Sequence, residues 1–409
     1  MSVFLVLKQL VDMFYQYQIL DYGMVLLATG LLFYKIYKEK YSLRELNYVD
    51  ITILLLCAVF TMAFLRNMEG YKEYFKILSG FLVYFLGRVY YNEIMNKGRL
   101  LAASSYVVVY ANFAYRMVRQ DFQLFLDASR ETELNLGEFY YYKADMGVAI
   151  IIAVIFIFAF SRIKWLKWIT IGIFCPYMVF YSGARMQQVI LGIVYFIIIL
   201  NLIENKSGRH FNLDWKMVIG TFVVLLLGVA VLAILPKIPA FRAKFGANFG
   251  FDFSQGIFSE RLMHSRQTIW GDILKYFHAQ PFVSKLLGID LISESLHNSA
   301  NRASHCTYIR ILYATGYLGF ILFTALIIEA LCIVNKVKNR VLFYIVIELW
   351  AMYLLNGISL AAIDYTQMSW FPMLFLGGTI GLVIGRGTEG EEQQYEEQIE
   401  EKVSEREIE

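Results

Sequence analysis

Three side chains in this sequence have the chemistry of an anion-binding, proton-transferring site: Arg185, Arg266 and His305. A guanidinium group presents five donors in a fixed geometry and can bind a phosphate through two parallel hydrogen bonds. An imidazole titrates near neutral pH and can accept a proton from an attacking hydroxyl. If the three groups meet, they suit a reaction in which a hydroxyl attacks and a phosphate departs, because the arginines neutralise the charge that builds on the leaving group.

Arg185 ends the short sequence Tyr-Ser-Gly-Ala-Arg at 181–185, which links two strongly apolar runs. Serine, glycine and alanine let the backbone approach a ligand closely. The turn is therefore predicted to bind an anion. The alternative is an arginine that anchors a helical hairpin at the membrane interface.

Arg266 lies in 259–279, a stretch with helical periodicity that stops before Pro281. It falls on the same face as the apolar Trp270, where an arginine needs an anionic or hydrogen-bonding partner. We predict that this partner is a ligand, with Arg261 as a further phosphate-binding candidate. The alternative partner is a carboxylate of the protein itself: Glu260, Asp272 or Glu294.

His305 closes a polar stretch, 297–305, and begins the next apolar run. We predict it to be the catalytic base. The histidines and carboxylates lack zinc-ligand spacing, and the four cysteines form no CxxC pair, so neither a metal nor another cofactor is predicted. The other residues expected around the substrate are His297, Asn298, Trp270 and Tyr308.

The composition is that of a membrane protein, with 58% hydrophobic and only 17% charged residues in a chain of 409. Soluble domains carry roughly 25% charged residues. The formal net charge of +3 gives no indication of nucleic-acid binding. Met1 to Tyr15 carries Lys8 and Asp12 and is predicted to be an interfacial amphipathic segment.

Apolar runs of membrane-crossing length predict an all-α, polytopic transmembrane bundle of about 11 spans, or 12. The predicted spans are 17–35, 49–66, 74–92, 100–117, 146–161, 165–182, 186–203, 217–235, 305–333, 341–360 and 366–385. They divide the chain into four parts: 1–235 with about eight spans, the large and partly helical extracytoplasmic loop 236–304, 305–385 with about three spans, and an acidic cytoplasmic tail, 386–409.

Basic residues predict the orientation, because lysine and arginine are retained in cytoplasmic loops. The connections after the odd-numbered spans hold most of them, whereas the short connection after span 10 holds none. This places the N-terminus outside, the C-terminus in the cytoplasm, and Arg185, Arg266 and His305 together on the outer face.

Three motifs occur in a familiar order: S-G-A-R ending at Arg185, R-x-x-x-W from Arg266 to Trp270, and H-x-x-Y-I-x-x-L-x-x-x-G-x-x-G from His305 to Gly319. Together they resemble the O-antigen ligase/polymerase superfamily, the Wzy-type polymerases and O-antigen ligases, which are integral membrane glycosyltransferases of the GT-C class. The resemblance covers about 185–319. The position after His305 is Cys306, where the family commonly has asparagine.

The resemblance implies a bacterial inner-membrane enzyme of surface polysaccharide biosynthesis, for O-antigen of lipopolysaccharide, capsule or exopolysaccharide. It would transfer a glycan from undecaprenyl diphosphate to the hydroxyl of another lipid-linked repeat unit, without a metal or other cofactor. Arg185 and Arg266 would hold the diphosphate, and His305 would orient or deprotonate the acceptor. The implied partners are the undecaprenyl-diphosphate-linked oligosaccharide, membrane lipid and a chain-length regulator protein.

Two alternative functions share this pattern. An O-antigen ligase would use the same motifs with lipid A-core as the acceptor. A flippase for lipid-linked oligosaccharides would need polar or ionisable residues at mid-bilayer. We expect few buried charges in the spans, which favours chemistry at the membrane surface over transport.

Overall fold

The computed structural model describes residues 1–14, 17–39, 46–119, 122, 139–140, 142–182, 184–207 and 266–383. Several predictions fall outside these residues: Arg261, the span 217–235, most of the large loop and the acidic tail. The described part is all-helical, as predicted, and contains no β-strand.

Fifteen α-helices are described, and they are numbered here in chain order. They are α1 (Ser2–Asp12), α2 (Gln18–Glu39), α3 (Tyr48–Arg66), α4 (Tyr71–Val89), α5 (Tyr91–Asn96), α6 (Gly98–Arg119), α7 (Lys143–Phe160), α8 (Lys164–Ile169), α9 (Cys175–Tyr181), α10 (Arg185–Ser207), α11 (Arg266–Ala279), α12 (Phe282–Leu287), α13 (Thr307–Val334), α14 (Arg340–Ser359) and α15 (366–383). A π-helical turn, Thr170–Phe174, joins α8 to α9.

Six of the described helices are long and apolar enough to cross a membrane. These candidate spans are Ile19–Lys38, Tyr48–Arg66, Lys143–Phe160, Arg185–Lys206, Thr307–Val334 and Arg340–Ser359. Helices also lie over the other predicted spans within the described residues. α4 opens with a charged turn, Tyr71-Lys72-Glu73, and α6 includes the polar pair Ser104-Ser105, which lowers the apolar character of both.

One end of the bundle, called here the His305 end, is defined by three contacts. Arg66, at the end of α3, donates from Nη1 to the carbonyl oxygen of Leu287 over 3.0 Å. Near the start of α10, Gln187 donates from Nε2 to Oδ1 of Asn356 over 2.7 Å, late in α14. The next residue of α14, Gly357, has so little room that a Cβ there would lie 3.3 Å from the Cβ of Thr307. These contacts bring the start of α10, the end of α14 and the start of α13 together.

The opposite end, called here the Arg340 end, is held by ion pairs and hydroxyl contacts. Arg340 donates from Nε and Nη2 to the two carboxylate oxygens of Glu204 over 2.5 and 2.7 Å. The hydroxyls of Tyr106 and Ser161 lie 2.7 Å apart. A bidentate arginine–carboxylate pair fixes the relative position of both helices as well as their distance.

The N-terminal helix differs from its prediction. Residues 1–15 were predicted to be an interfacial amphipathic segment, but Lys8 is 1% exposed and pairs with the buried Asp12. The Lys8 ammonium lies 4.5 Å from the centroid of the Trp370 ring, and Gln367 donates from Nε2 to the carbonyl oxygen of Asp12. The polar face of α1 therefore packs against α15. Periodicity gives the faces of a helix but not what covers them.

Helices α4 and α15 run parallel, and small residues bring their backbones into contact. The indole nitrogen of Trp370 donates to Oγ of Ser79 over 2.9 Å. Further along, a Cβ at Gly377 would overlap the carbonyl oxygen of Tyr84, and one at Gly381 would overlap that of Arg88. Close approach through glycine is a common way of packing helices in membranes, where the hydrophobic effect does not drive association.

Charged side chains are buried in the bundle more often than expected. They include Lys8, Asp12, Asp50, Arg88, Arg116, Asp145, Glu204 and Glu348. Asp50 shows how the cost is offset, because it accepts hydrogen bonds from Arg88 and from the hydroxyl of Tyr84. The expectation of few buried charges was wrong, since side chains such as Asp50 and Arg88 turn inward and pair with each other inside the bundle.

A break in α13 attaches the described end of the large loop to the membrane helices. Gly316 has φ 68° and ψ −166°, which interrupts the helix. The backbone N–H of Ile289 donates to the freed carbonyl oxygen of Tyr313 over 2.8 Å. Gly288, with φ 84°, packs directly against this turn. Both glycines have positive φ and neither has room for a side chain. The loop backbone can therefore approach closely enough to bond a carbonyl oxygen of the helix at this point.

Candidate functional site

His305 stands on a short connection just before α13. Its backbone has φ 47°, in the left-handed region that non-glycine residues seldom adopt. The preceding residue, Ser304, is held from both sides. Its N–H donates to Oε1 of Glu294 over 3.1 Å, and its carbonyl oxygen accepts from the indole nitrogen of Trp270 over 2.8 Å. Such a conformation persists where the surroundings fix it, and here they present the imidazole at the surface.

Arg266 is the first described residue of α11, whose buried residues Ile269, Ile273 and Phe277 pack the helix onto the protein. The helix ends at Ala279, before Pro281, as predicted. The guanidinium is half-buried. One turn further along the same helix, the indole nitrogen of Trp270 bonds the carbonyl oxygen of Ser304, the residue before His305. The first turn of α11 and the segment that carries His305 are therefore in contact, and the Arg266 charge helps, after burial, to lower the pKa of the imidazole.

The alternative for Arg266 was an ion pair within the protein. Asp272 accepts instead from the N–H and the hydroxyl of Ser299, at 2.9 and 2.6 Å. Glu294 pairs with Arg310 over 3.1 Å. Glu260 lies outside the described residues. Arg266 makes no hydrogen bond or ion pair with any residue that the structure describes.

Arg185 begins α10 at the His305 end of the bundle. Two residues later, Gln187 bonds Asn356, and the neighbouring Gly357 packs against Thr307, two residues after His305. This chain of contacts puts Arg185 and His305 on the same end of the molecule. Gly183 of the predicted small-residue turn is outside the described residues, and so is Arg261.

A buried ion network beside His305 was not predicted. Arg310, one turn into α13, forms ion pairs with Oε1 of Glu294 at 3.1 Å and with Oδ2 of Asp364 at 2.5 Å. Burial raises the pKa of Asp364 to about 6, although Arg310 acts in the opposite direction. One signal could have revealed this network: Arg310 is an arginine inside an apolar run, which is costly without partners.

The four residues predicted around the substrate are engaged within the protein. Asn298 is buried and donates to the carbonyl oxygens of Glu294, Ser295 and Arg302. The ring of His297 stacks on that of Tyr276, with 3.7 Å between centroids. Tyr308 donates its hydroxyl to the carbonyl oxygen of Leu354 over 2.7 Å. Together with the bond from Trp270, these contacts shape the segment that carries His305.

Electrostatics favour a neutral imidazole at His305. Its pKa is lowered by burial, by Arg266 and further by Arg310 and Arg302, while Glu294 acts in the opposite direction. A neutral imidazole can accept a proton, as a general base must. The adjacent Cys306 is buried, and burial raises the pKa of its thiol, so it remains protonated at neutral pH and is a poor nucleophile.

The described residues thus form an all-helical bundle with an exposed histidine, a nearby arginine without a partner among them, and a second arginine on the same end. The described residues contain no group of three or more metal-ligating side chains. No family model matches the chain, and no curated protein is significantly similar to it. Arg266 can bind an anion and the neutral imidazole of His305 can accept a proton, and the case for a function depends on this chemistry.

Proposed function

We propose that the protein is a metal-independent membrane glycosyltransferase that polymerises a surface polysaccharide, such as O-antigen, capsule or exopolysaccharide. The donor would be a glycan on undecaprenyl diphosphate, and the acceptor a hydroxyl of a second lipid-linked repeat unit. The motifs around Arg185, Arg266 and His305 resemble those of the O-antigen ligase/polymerase superfamily. The topology proposed with this function is about 11 spans in a bacterial inner membrane, with the site facing outward.

One observation supports this proposal above the others: Arg266 has no partner among the described residues, and Trp270, one turn later on the same helix, bonds the segment that carries the exposed His305. A half-buried guanidinium is costly to leave without an anion, so this position favours an anionic ligand. A guanidinium fork binds a phosphate through two parallel hydrogen bonds, as it does a carboxylate, and a lipid diphosphate would reach the site from the membrane that surrounds the helices.

The proposed reaction assigns one role to each side chain. The acceptor oxygen bonds to the anomeric carbon of the donor sugar, and the bond from that carbon to the diphosphate oxygen breaks. The proton of the acceptor hydroxyl passes to the neutral imidazole of His305. Arg266 and Arg185 hold the diphosphate and stabilise the negative charge that it gains as it leaves.

The direct test is polymerisation by the purified protein in lipid nanodiscs, with an undecaprenyl-diphosphate-linked repeat unit and a metal chelator present. We expect a ladder of polymer lengths from the wild-type protein. His305→Ala should lower the rate by about 10²–10⁴-fold, the range for loss of a general base. Arg266→Ala should abolish the ladder, and Arg266→Lys should restore only part of it, because lysine keeps the charge but loses the fork.

Arg99→Ala is the matched control, because Arg99 is an exposed arginine at the start of α6, on the Arg340 end. It should polymerise at the wild-type rate. The proposal fails if Arg266→Ala and His305→Ala, both folded in the membrane, make polymer of normal length and amount.

A flippase for the same lipid-linked units is the second candidate, and the buried charges favour it more than the sequence did. Asp50 with Arg88, and Lys8 with Asp12, are ionisable pairs inside the bundle, where transport pathways often place them. Cells that lack a polymerase should accumulate single repeat units outside the membrane, and cells that lack a flippase should accumulate them inside. An O-antigen ligase is distinguished by adding lipid A-core as the acceptor in the nanodisc assay.

A further inference from the structure

Glu294 occupies a central position behind His305. Its side chain is 1% exposed, and its Oε1 accepts from two donors at once, the Ser304 N–H and Nη1 of Arg310, each over 3.1 Å. Glu294 belongs to the short 3-10 turn Ser293–His297, so it reaches the catalytic segment from a separate element. A buried carboxylate that accepts a backbone N–H and a guanidinium forms strong, directional bonds.

We propose that Glu294 is the positioning residue of His305: it fixes the backbone that presents the imidazole and supplies a negative charge among the cations around it. The catalytic consequence depends on the proposed polymerase function, whereas the effect on His305 itself does not. Glu294 acts through Ser304 and Arg310, and it has no direct bond to His305 in the structure.

The geometric part follows from the bonds to the segment 302–307. Asn298 bonds both the N–H and the carbonyl oxygen of Arg302, and the hydroxyl of Thr307 donates to the carbonyl oxygen of Leu360 over 3.2 Å. Between these fixed points, the Ser304 N–H donates to the carboxylate of Glu294. His305 follows directly, with its left-handed backbone. Without the Glu294 bond, this backbone can relax to a more common conformation and turn the imidazole away.

The electrostatic part follows from the charges that face His305. Three of them are guanidinium groups, on α11 (Arg266), on α13 (Arg310) and on the connecting segment (Arg302). Glu294 is the carboxylate that opposes them. Its charge keeps the imidazole from becoming too weak a base, since general-base catalysis is most efficient when the pKa lies near the working pH. Glu294→Gln separates the two parts, because the amide oxygen can still accept the Ser304 N–H while the charge is lost.

The test is a titration of His305 in the full-length protein by NMR of histidine labelled with ¹³C and ¹⁵N, with the signal assigned from His305→Gln. Glu294→Gln should lower the midpoint of the His305 titration by about 0.5 pH units or more. Asp272→Asn is the control, because Asp272 bonds Ser299 of the same loop near the surface, and it should leave the midpoint unchanged. Arg310 keeps Asp364 as a partner in both variants, which protects the fold.

Polymerisation kinetics complete the test. Glu294→Ala should lower kcat by about tenfold or more with little change in KM, because the diphosphate site remains while the base is displaced. Glu294→Asp should restore the titration midpoint toward the wild-type value. An unchanged midpoint in Glu294→Gln overturns the proposal for Glu294. If the midpoint shifts in Glu294→Gln but the wild-type protein makes no polymer, the role of Glu294 is supported and the polymerase function is overturned.

Discussion

Replacing Gly316 with alanine tests how firmly the loop that carries the site is attached to α13. The backbone at Gly316 combines φ 68° with ψ −166°, a region that is almost exclusive to glycine. A Cβ at this position would overlap the backbone nitrogen of Gly288 and lie 2.5 Å from the carbonyl oxygen of Leu286, well inside van der Waals contact. Since both obstacles are backbone atoms, a side-chain rotation cannot relieve them, and the segment around Leu286 must move away.

The cost can be worked from these contacts. Holding alanine in that backbone region costs about 1–3 kcal/mol. Moving the loop also breaks the hydrogen bond from Ile289 to Tyr313, which contributes about 0.5–1.5 kcal/mol. The sum is about 1.5–4.5 kcal/mol, and a central value near 2.8 kcal/mol corresponds to about a 100-fold increase in the population of the detached loop.

Hydrogen–deuterium exchange measured by mass spectrometry reports this detachment directly. In Gly316→Ala, amides of 286–290 should exchange about 100-fold faster, while those of α7 should be unchanged. Gly271→Ala is the control, because Gly271 lies in α11 with open space around its Cα, and it should be neutral or slightly stabilising. Equal exchange at 286–290 in wild type and Gly316→Ala would refute the reasoning, since the turn would then accept a side chain.

Further predictions concern the packing and the titratable groups. Gly377→Ala should destabilise the protein by about 1–3 kcal/mol in detergent unfolding, because its Cβ meets the backbone of α4. The adjacent Gly378→Ala is the control, because its Cβ would have ordinary contacts, the nearest at 3.7 Å, and should be tolerated. Equal effects of the two substitutions would contradict this packing. Lys8→Ala should lower the free energy of unfolding by about 3 kcal/mol, since it leaves the buried carboxylate of Asp12 without a partner. The double variant Lys8→Met with Asp12→Leu should lose less stability than Lys8→Ala. A larger loss in the double variant would contradict the role of the pair. Burial raises the pKa of Asp12 from 3.8 to about 6, so the folded protein holds this proton more tightly than the unfolded chain. The stability that this proton contributes should be full below pH 4 and lost as the pH rises through about 6. In Asp12→Asn, the melting temperature should therefore depend less on pH across that range. If the proposed polymerisation depends on His305 as its base, the lowered pKa of this histidine predicts a rate that is level at neutral pH and falls only on stronger acidification. A fall that starts above pH 6.5 in a pH–rate profile would contradict a depressed pKa.

Hydropathy and periodicity predicted much of the fold, because a helix surrounded by lipid must carry apolar side chains along its length. Long apolar runs such as α7 and α13 were identified from composition alone, and α11 ends before Pro281 as its sequence indicated. These signals are local, since a helix in lipid must satisfy its own backbone and show its character within about 20 residues.

The site was predicted only in part, because local sequence patterns do not indicate which distant segments come into contact. Arg266 was identified by its place on the apolar face of a predicted helix and His305 by its place at the start of an apolar run, and the structure packs that helix against the segment that carries His305. Trp270 and Asn298 were predicted as substrate contacts, and the structure adds a role that the sequence did not indicate, because both bond the backbone of the segment before His305. Asp364 was missed because its partner Arg310 is 54 positions away in the sequence and the two meet only after α13 and α14 have packed.

The burial of α1 has a consequence for biogenesis. Gln367 bonds the backbone of Asp12 across 355 positions of sequence, and Trp370 covers Lys8. At roughly 5–20 residues per second, the ribosome supplies these partners tens of seconds after the first helix has emerged. Until then the charged side of α1 has to stay hydrated, so α1 can pack fully only after α15 has been synthesised.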